Sequence, residues 1–160
     1  MAYKYLSIKD DVSQMKIVDM INAFFGKEYK AWMKAWYDID GEFAAWFPTI
    51  TKEGDTPSGS WGGSKNYTNS LSADGKVIIE VNHTETEPPA DEELEYDKLR
   101  FTFGRINKKF QFLGIYKRAL VYGTEHLTYR YERVAVGARI NGASVDQLFV
   151  TLQAMEQRQG

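Results

Sequence analysis

Consecutive strand signals between Arg100 and Ile140 are the feature that most restricts the fold of this 160-residue chain. Apolar and polar residues alternate there with the two-residue period of a β-strand. Sequential strands usually pair with one another, so the stretch predicts an antiparallel sheet. The predicted strands lie near 99–105, 110–117, 119–123 and 126–136, with hairpin turns at Asn107-Lys108 and Gly123-Thr124.

The first third of the chain predicts one helix followed by strands. Residues 13–25 place apolar side chains at helical spacing, and Gly26 suits the end of a helix. Residues 29–37 fit one helical face and also the alternation of a strand. Residues 42–47 and 76–82 predict two further strands.

The C-terminal segment predicts a last helix over 144–157. Ser144 and Gln147 match a capping box, and apolar residues follow at helical spacing. The predicted fold class is therefore α+β, a mostly antiparallel β-barrel or strongly curved sheet with an N-terminal and a C-terminal helix. We expect one domain over 1–160, with the barrel at about 30–140 and an exposed acidic insert at 84–97.

Composition limits the cellular setting and the chemistry. The chain has no cysteine, so no disulfide and no zinc framework of cysteines can form. The charged residues near Met1 do not fit a secretion signal, and no run of 18 apolar residues occurs. We therefore expect a cytoplasmic protein with no membrane contact, no metal site and no cofactor.

Charge is distributed unevenly along the chain. Residues 98–140 hold ten Lys and Arg against two acids, whereas residues 84–97 hold seven acids and no base. Clustered cations beside aromatic rings are what a nucleic-acid surface needs, because cations meet phosphates and rings stack on bases. The candidate phosphate contacts are Arg100, Arg105, Lys108, Lys109, Lys117, Arg118 and Arg130.

The faces of two predicted strands differ. In 110–117, Phe110, Phe112 and Tyr116 share one face, and Leu113 and Ile115 lie on the other. Both faces are apolar, which predicts a strand buried on two sides. In 127–133 the Leu and Tyr positions alternate with polar ones, which predicts a strand with one exposed, basic side.

A long polar loop occupies residues 51–70 and contains Trp61 and Tyr67. Loops of this length in a small domain are usually functional or disordered. Trp61 either folds back over the core or caps a ligand. Together with Trp46 and Asp74, these two aromatic residues are the candidate lining of a base or ligand pocket, with Asp74 accepting a hydrogen bond from a base edge.

Motifs for catalysis are few. His126-Leu127-Thr128 fits one half of the paired His-x-Thr motif of 2H phosphoesterases, but His83-Thr84-Glu85 does not fit the other half. The sequence contains no phosphate-binding glycine loop and no nucleophile elbow. Whether the protein is an enzyme stays open, and the balance is against it.

Four short segments resemble a known family. Residues 110–116 (FQFLGIY) and 128–135 (TYRYERVA) resemble the "FLGxY … YxRIA" ending of small β-barrel modules of the PUA-like group, which includes the SRA and EVE domains. Residues 45–48 (AWFP) and 71–75 (LSADG) resemble their first half. The resemblance spans about 30–140. It implies a pseudo-barrel that reads a modified or flipped base in an aromatic pocket, of a kind found beside bacterial defence and mobile-element nucleases and helicases.

Three functions follow as hypotheses. The first is a non-catalytic module that binds DNA or RNA and reads a base. The second is a protein-interaction module or phage-type inhibitor of a host defence enzyme, in which the acidic 85–97 segment imitates a phosphate backbone. The third is a small-ligand-binding barrel or weak hydrolase.

Overall fold

The computed structural model describes residues 3–51, 58–59, 66–83, 97–123 and 125–159. Within these ranges, two helices, α1 (Ile17–Phe25) and α2 (Leu152–Gln159), accompany eleven strands, which confirms the α+β class. The strands are β1 (Tyr3–Ser7), β2 (Trp36–Asp38), β3 (Phe43–Trp46), β4 (Ser58–Gly59), β5 (Asn66–Leu71), β6 (Val77–Asn82), β7 (Leu99–Ile106), β8 (Lys109–Gly123), β9 (Leu127–Ala135), β10 (Gly137–Asn141) and β11 (Ser144–Phe149).

Two sheets organise the described strands. The large sheet has the order β2-β3-β7-β8-β9-β6-β5-β4, and the small sheet has the order β1-β10-β11. Neighbours are antiparallel except β3 and β7, which run parallel. The large sheet has β2 and β4 as its edges among the described strands, so closure into a barrel stays a prediction.

The large sheet is nevertheless strongly curved. Four steps in the strand order separate Trp36 on β2 from Tyr131 on β9. In a flat sheet that is about 19 Å, at roughly 4.8 Å a step. Yet the Arg100 guanidinium lies 4.7 Å from the Trp36 ring and 4.4 Å from the Tyr131 ring. The sheet must therefore curl, with these side chains on its concave face.

Each face of the large sheet carries its own apolar cluster. On the convex face, Phe101 lies 5.4 Å edge-on to Phe25 of α1 and 6.0 Å from Phe43, so the helix covers this side. On the concave face, Trp46 and Tyr131 pack at 5.0 Å as part of a second cluster. Both faces of the central strands are therefore buried, as predicted for 110–117.

Bulges produce part of the curvature and change which side chains face inward. The register shifts between Thr102 and Phe103 and again between Ile115 and Tyr116. As a result Ile115 joins the convex cluster and Tyr116 the concave one. The strict alternation predicted for 110–117 is wrong in this half, because a bulge inserts a residue and reverses the faces that follow.

Gly114 lies at this bulge and has a φ of +121°. A Cβ there would stand 2.6 Å from Arg133 Cδ and 2.8 Å from the Ala135 carbonyl oxygen. We expect Gly114→Ala to lower the free energy of unfolding by about 2–4 kcal/mol, from backbone strain and overlap. Urea denaturation measures it. Gly41→Ala is the control, because a Cβ at Gly41 meets nothing within 4 Å; equal losses in the two variants would contradict this account.

Helix α1 begins later than predicted but ends where predicted. It starts at Ile17 and stops at Gly26, whose φ of 66° is the left-handed conformation that glycine adopts freely. Met20, Ile21 and Phe25 are its buried residues. The ambiguous 29–37 segment forms an irregular loop followed by β2.

The predicted helix over 144–157 is wrong in its first half. Residues 144–149 form β11, which pairs with β10, and the helix begins only at Leu152. Tertiary pairing overrides the local capping pattern here.

The separate strands predicted at 110–117 and 119–123 are one strand, β8, with an irregularity between Arg118 and Leu120.

Two further predictions meet the structure only in part. Asn107 and Lys108 form the β7–β8 turn, with φ values of 51° and 68° that match a tight hairpin. The other predicted turn includes Thr124, which lies outside the described residues.

In the described part of the chain, no helix has the length and apolar character needed to cross a bilayer.

Candidate functional site

A polar cluster lies on the concave face of the large sheet. Its centre is Glu80 on β6, Arg100 on β7 and Tyr131 on β9. The Tyr131 hydroxyl donates to Glu80 Oε1 at 3.3 Å. Three strands that are not all neighbours supply these groups, and only the curvature of the sheet brings them together.

Arg100 is 2% exposed, and its guanidinium is surrounded by aromatic rings. The rings of Trp36, Trp46 and Tyr131 lie 4.7, 5.0 and 4.4 Å from its central carbon. Burial lowers the pKa of Arg100, while Tyr131 and Glu80 oppose that change. Cation–π contact with ring faces supports a charge that water does not reach.

Glu80 lies deep in the concavity but keeps some accessible surface. Burial raises the pKa of its carboxyl group, and the charge of Arg100 and the hydrogen bond from Tyr131 act in the opposite direction. Burial likewise raises the pKa of Tyr131. A recessed carboxyl group with a shifted pKa is the kind of group that marks a functional site.

Asn69 extends the polar cluster onto β5. It pairs with Glu80 in the strand register, and its side chain hydrogen-bonds the Glu80 carboxyl group. The residue is 6% exposed, yet its Oδ1 has no hydrogen-bond partner among the described residues. Buried polar atoms are seldom left unpaired, so this oxygen is available to a donor from a ligand.

Arg118 and Tyr129 form a neighbouring part of the same concavity. The Arg118 guanidinium lies 4.7 Å from the Tyr129 ring, which is stacked 6.2 Å from the Tyr131 ring. The Arg118 side chain is half-buried and hydrogen-bonds Tyr131. Together these residues make a recessed site with a carboxyl group, an amide, two guanidinium groups and several aromatic faces, which we call the concave pocket. It comprises Trp36, Trp46, Asn69, Glu80, Arg100, Arg118, Tyr129 and Tyr131.

The predicted pocket residues lie in different places. Trp46 is in the concave pocket, and Tyr67 is on β5, two positions from Asn69. Asp74 is exposed in the β5–β6 turn, where its carboxylate accepts from the Ser72 hydroxyl at 2.7 Å and the Lys76 amide at 3.0 Å. Trp61 and the acidic 84–96 segment lie outside the described residues, so their roles remain predictions.

The residues predicted to contact phosphate also lie in two different environments. Lys108, Lys109 and Lys117 are exposed, and Arg105 is half-buried. Arg130 forms an exposed ion pair with Glu132 at 3.1 Å. Arg100 and Arg118 belong to the concave pocket, so the structure divides the predicted set into a surface group and an interior pair.

Several pocket residues were not predicted from the sequence: Trp36, Asn69, Glu80, Tyr129 and Tyr131. One signal for them was present. Glu80 is the sole acid in the apolar run KVIIEVN, and acids are rarely placed on a buried strand without a partner. The proximity of Glu80 to the charge of Arg100 could not be predicted in this way, because the two strands are distant in sequence.

The two histidines meet away from this pocket. The rings of His83 and His126 are 5.0 Å apart, and the Thr68 hydroxyl contacts His83 Nε2 at 2.9 Å. Within the described ranges, no group of three or more His, Cys, Asp or Glu residues could hold a metal ion.

The fold and the site together define a class of protein: a small α+β module whose curved sheet surrounds a cluster of polar and aromatic side chains. The family model described as "SET and RING associated domain" (SRA) matches residues 1–140. The chain therefore belongs to the SRA family, which confirms the resemblance to the PUA-like group seen in the sequence.

A solved structure supports the same fold. The protein titled "The 5-Hydroxymethylcytosine-Specific Restriction Enzyme AbaSI" is similar with a TM-score of 0.63 and 19% sequence identity. The match covers 84% of this chain and 42% of that protein, so the present chain spans less than half of its length. No curated protein sequence matches this chain.

Proposed function

We propose that this chain is a DNA-binding module that takes a flipped, modified base into the concave pocket. The observation that carries the proposal is the recessed Glu80–Arg100–Tyr131 cluster, enclosed by aromatic rings. Membership of the SRA family and the likeness in fold to a restriction enzyme specific for 5-hydroxymethylcytosine support it.

The concave pocket offers aromatic surfaces on which a base would stack. The Trp46 and Tyr131 rings pack together with centroids 5.0 Å apart, and Tyr129 adds a further ring. Proteins that extrude a base hold it by stacking and by hydrogen bonds to its Watson–Crick edge. The pocket offers both kinds of contact.

The polar groups favour a cytosine-type base. A carboxylate accepts from the cytosine N4 amino group, which is the usual pairing of Glu with this base. Glu80 provides that acceptor, and the Oδ1 of Asn69 provides a second. Arg100 and Arg118 would then donate to the carbonyl of the base or to a polar group carried at its C5 position.

Surface cations would hold the DNA backbone. The proposed phosphate contacts remain Lys108 in the β7–β8 turn, Lys109 at the start of β8, Lys117, Arg105 and Arg130. Arg100 has a different part in this proposal, because a side chain that is 2% exposed contacts a base inside the pocket more readily than a phosphate outside it.

We expect the Glu80→Gln variant to bind DNA about 10-fold more weakly, because its amide replaces the carboxylate that accepts from the cytosine N4 amino group. The probes are two duplexes identical except for one 5-hydroxymethylcytosine in place of cytosine. Wild type should bind the modified duplex more tightly, and the variant should lose affinity for both duplexes, since both bases carry the N4 amino group and one good base-edge contact contributes about 1–3 kcal/mol. Fluorescence anisotropy measures both affinities.

The matched control is Glu132→Gln, since Glu132 is exposed on β9 and pairs with Arg130. This variant should keep the wild-type affinity for both duplexes. Affinity for both duplexes should also fall steeply with salt, because phosphate binding releases counterions. Equal wild-type affinity for the two duplexes, or no binding at low salt, would refute the proposal.

A further inference from the structure

An open cleft of about 460 Å³ lies beside the edge strand β2. Trp36 separates it from the concave pocket, because this residue lines the cleft and also stands 4.7 Å from the Arg100 guanidinium inside the pocket. The cleft is lined by Lys27, Tyr29, Trp32, Lys34, Trp36, Tyr37, Asp38 and Ile39.

The aromatic walls of this cleft are held in place. The Trp32 ring lies 5.5 Å from that of Tyr29 and 5.1 Å edge-on to that of Tyr37. Asn22 of α1 fixes the loop by a pair of 2.9 Å hydrogen bonds, one from the Tyr29 amide and one to the Tyr29 carbonyl. The cleft is therefore built on the packed helix as well as on β2.

The charge of the cleft is positive. Asp38 is neutralised by Lys98, whose ammonium group lies 2.9 Å from its carboxylate. Burial opposes the ionised form of Asp38, but hydrogen bonds from Lys98 and Trp36 lower its pKa. Lys27 and Lys34 have no ion-pair partner among the described residues, so both ammonium groups are available to an anion.

One hydrogen-bond donor among the residues that line the cleft also has no acceptor. Trp32 Nε1 is buried and has no acceptor within the part of the chain that the structure describes. An isolated buried donor costs about 1–3 kcal/mol. Aromatic rings and two lysines are together the contacts that a nucleotide makes through its base and its phosphate.

We propose that this cleft holds the nucleotide next to the flipped base on the same DNA strand. The base would stack on Tyr29 and Trp32, and its phosphate would lie between Lys27 and Lys34. The shared wall at Trp36 places the two sites one ring apart, as adjacent nucleotides require. This inference rests on the proposed function and extends it by a second nucleotide site.

The test removes the neighbouring base and the cleft contacts in turn. The probes are the duplex with one 5-hydroxymethylcytosine and two copies with an abasic residue on its 5′ or its 3′ side. Wild type should lose about 10-fold in affinity with one of the abasic duplexes, a typical loss for one stacked base. The Tyr29→Ala and Trp32→Ala variants should bind the intact and abasic duplexes equally.

Lysine variants keep the test independent of folding defects. The Lys27→Ala/Lys34→Ala double variant should lower the magnitude of the salt slope of log K by about 1, since one phosphate contact is lost. Lys30→Ala is the control, because Lys30 is exposed in the same loop but does not line the cleft. That variant should behave as wild type.

The outcomes separate this inference from the proposed function. If wild type prefers the modified duplex, but the abasic loss is the same in wild type and in both aromatic variants, the cleft is not the second site and the base-reading function stands. An unaltered salt slope in the double lysine variant would also overturn the cleft. If wild type does not bind the duplexes at all, both proposals fail.

Discussion

Replacing Arg100 by methionine is expected to lower the free energy of unfolding by about 3 kcal/mol. Methionine preserves much of the volume but removes the positive charge that lies beside Glu80 in the concave pocket. The Glu80 carboxyl group would then lose its main electrostatic support while remaining recessed. Urea denaturation near neutral pH measures the effect.

Two comparisons make this prediction specific. Arg130→Met should cost less than about 1 kcal/mol, because the ion pair of Arg130 with Glu132 is exposed. The Glu80→Met/Arg100→Met double variant should be more stable than the sum of the single losses predicts, since replacing both partners leaves no uncompensated charge. Strict additivity would show that the two groups are not coupled.

The free energy of unfolding of the Arg100→Met variant should change with pH in a predictable direction. Burial raises the pKa of Glu80 in the folded protein, so the folded state binds the Glu80 proton more tightly than the unfolded chain does. This contribution to stability is complete below the unfolded pKa and is lost as pH rises through the folded pKa. Without Arg100 the folded pKa rises further, so the loss should extend to higher pH in Arg100→Met.

Replacing Phe101 by alanine is expected to lower the free energy of unfolding by about 3–5 kcal/mol. Phe101 is fully buried on the convex face, where it contacts Phe25 of α1 and Phe43 of β3. The substitution leaves a cavity between the helix and the sheet. Thermal or urea unfolding gives the loss.

This variant also distinguishes the convex core from the concave pocket. The Phe101 side chain points away from Arg100, its neighbour on β7, so the Phe101→Ala protein that remains folded should keep the wild-type ratio of affinities for modified and unmodified duplexes. A changed ratio would mean that the two faces of the sheet are coupled. Phe110→Ala is a comparison for stability. Because Phe110 is only partly buried against the same cluster, this variant should lose less free energy of unfolding than Phe101→Ala.

The recessed cluster and the exposed lysines occupy different parts of the molecule. A sheet that curls around Glu80, Arg100 and Tyr131 creates one enclosed site, while the exposed lysines of the β7–β8 turn remain outside it. A base reader needs this division, since one set of groups must reach into a pocket and another must hold the backbone. The proposed cleft beside β2 would add a site for a second nucleotide.

Local sequence patterns account for much of the secondary structure. Local strand signals identified β3, β6, β7 and β9, although β3 and most of β7 are buried on both faces. Helix α1 and its end at Gly26 were also predicted, since an apolar stripe and a left-handed glycine are local properties. The pattern failed at residues 144–149, where pairing with β10 outweighs helical spacing.

The basic and aromatic stretch from Arg100 to Ile140 determined by itself that this chain forms an antiparallel sheet with surplus positive charge. Its motifs also indicated the PUA-like group that the SRA match confirmed. Only the tertiary structure decided that Arg100 lies inside with Glu80, whereas Lys108 and Lys109 lie outside. Bulges near Gly114 and the curl of the large sheet set those positions, and both depend on contacts between strands that are distant in sequence.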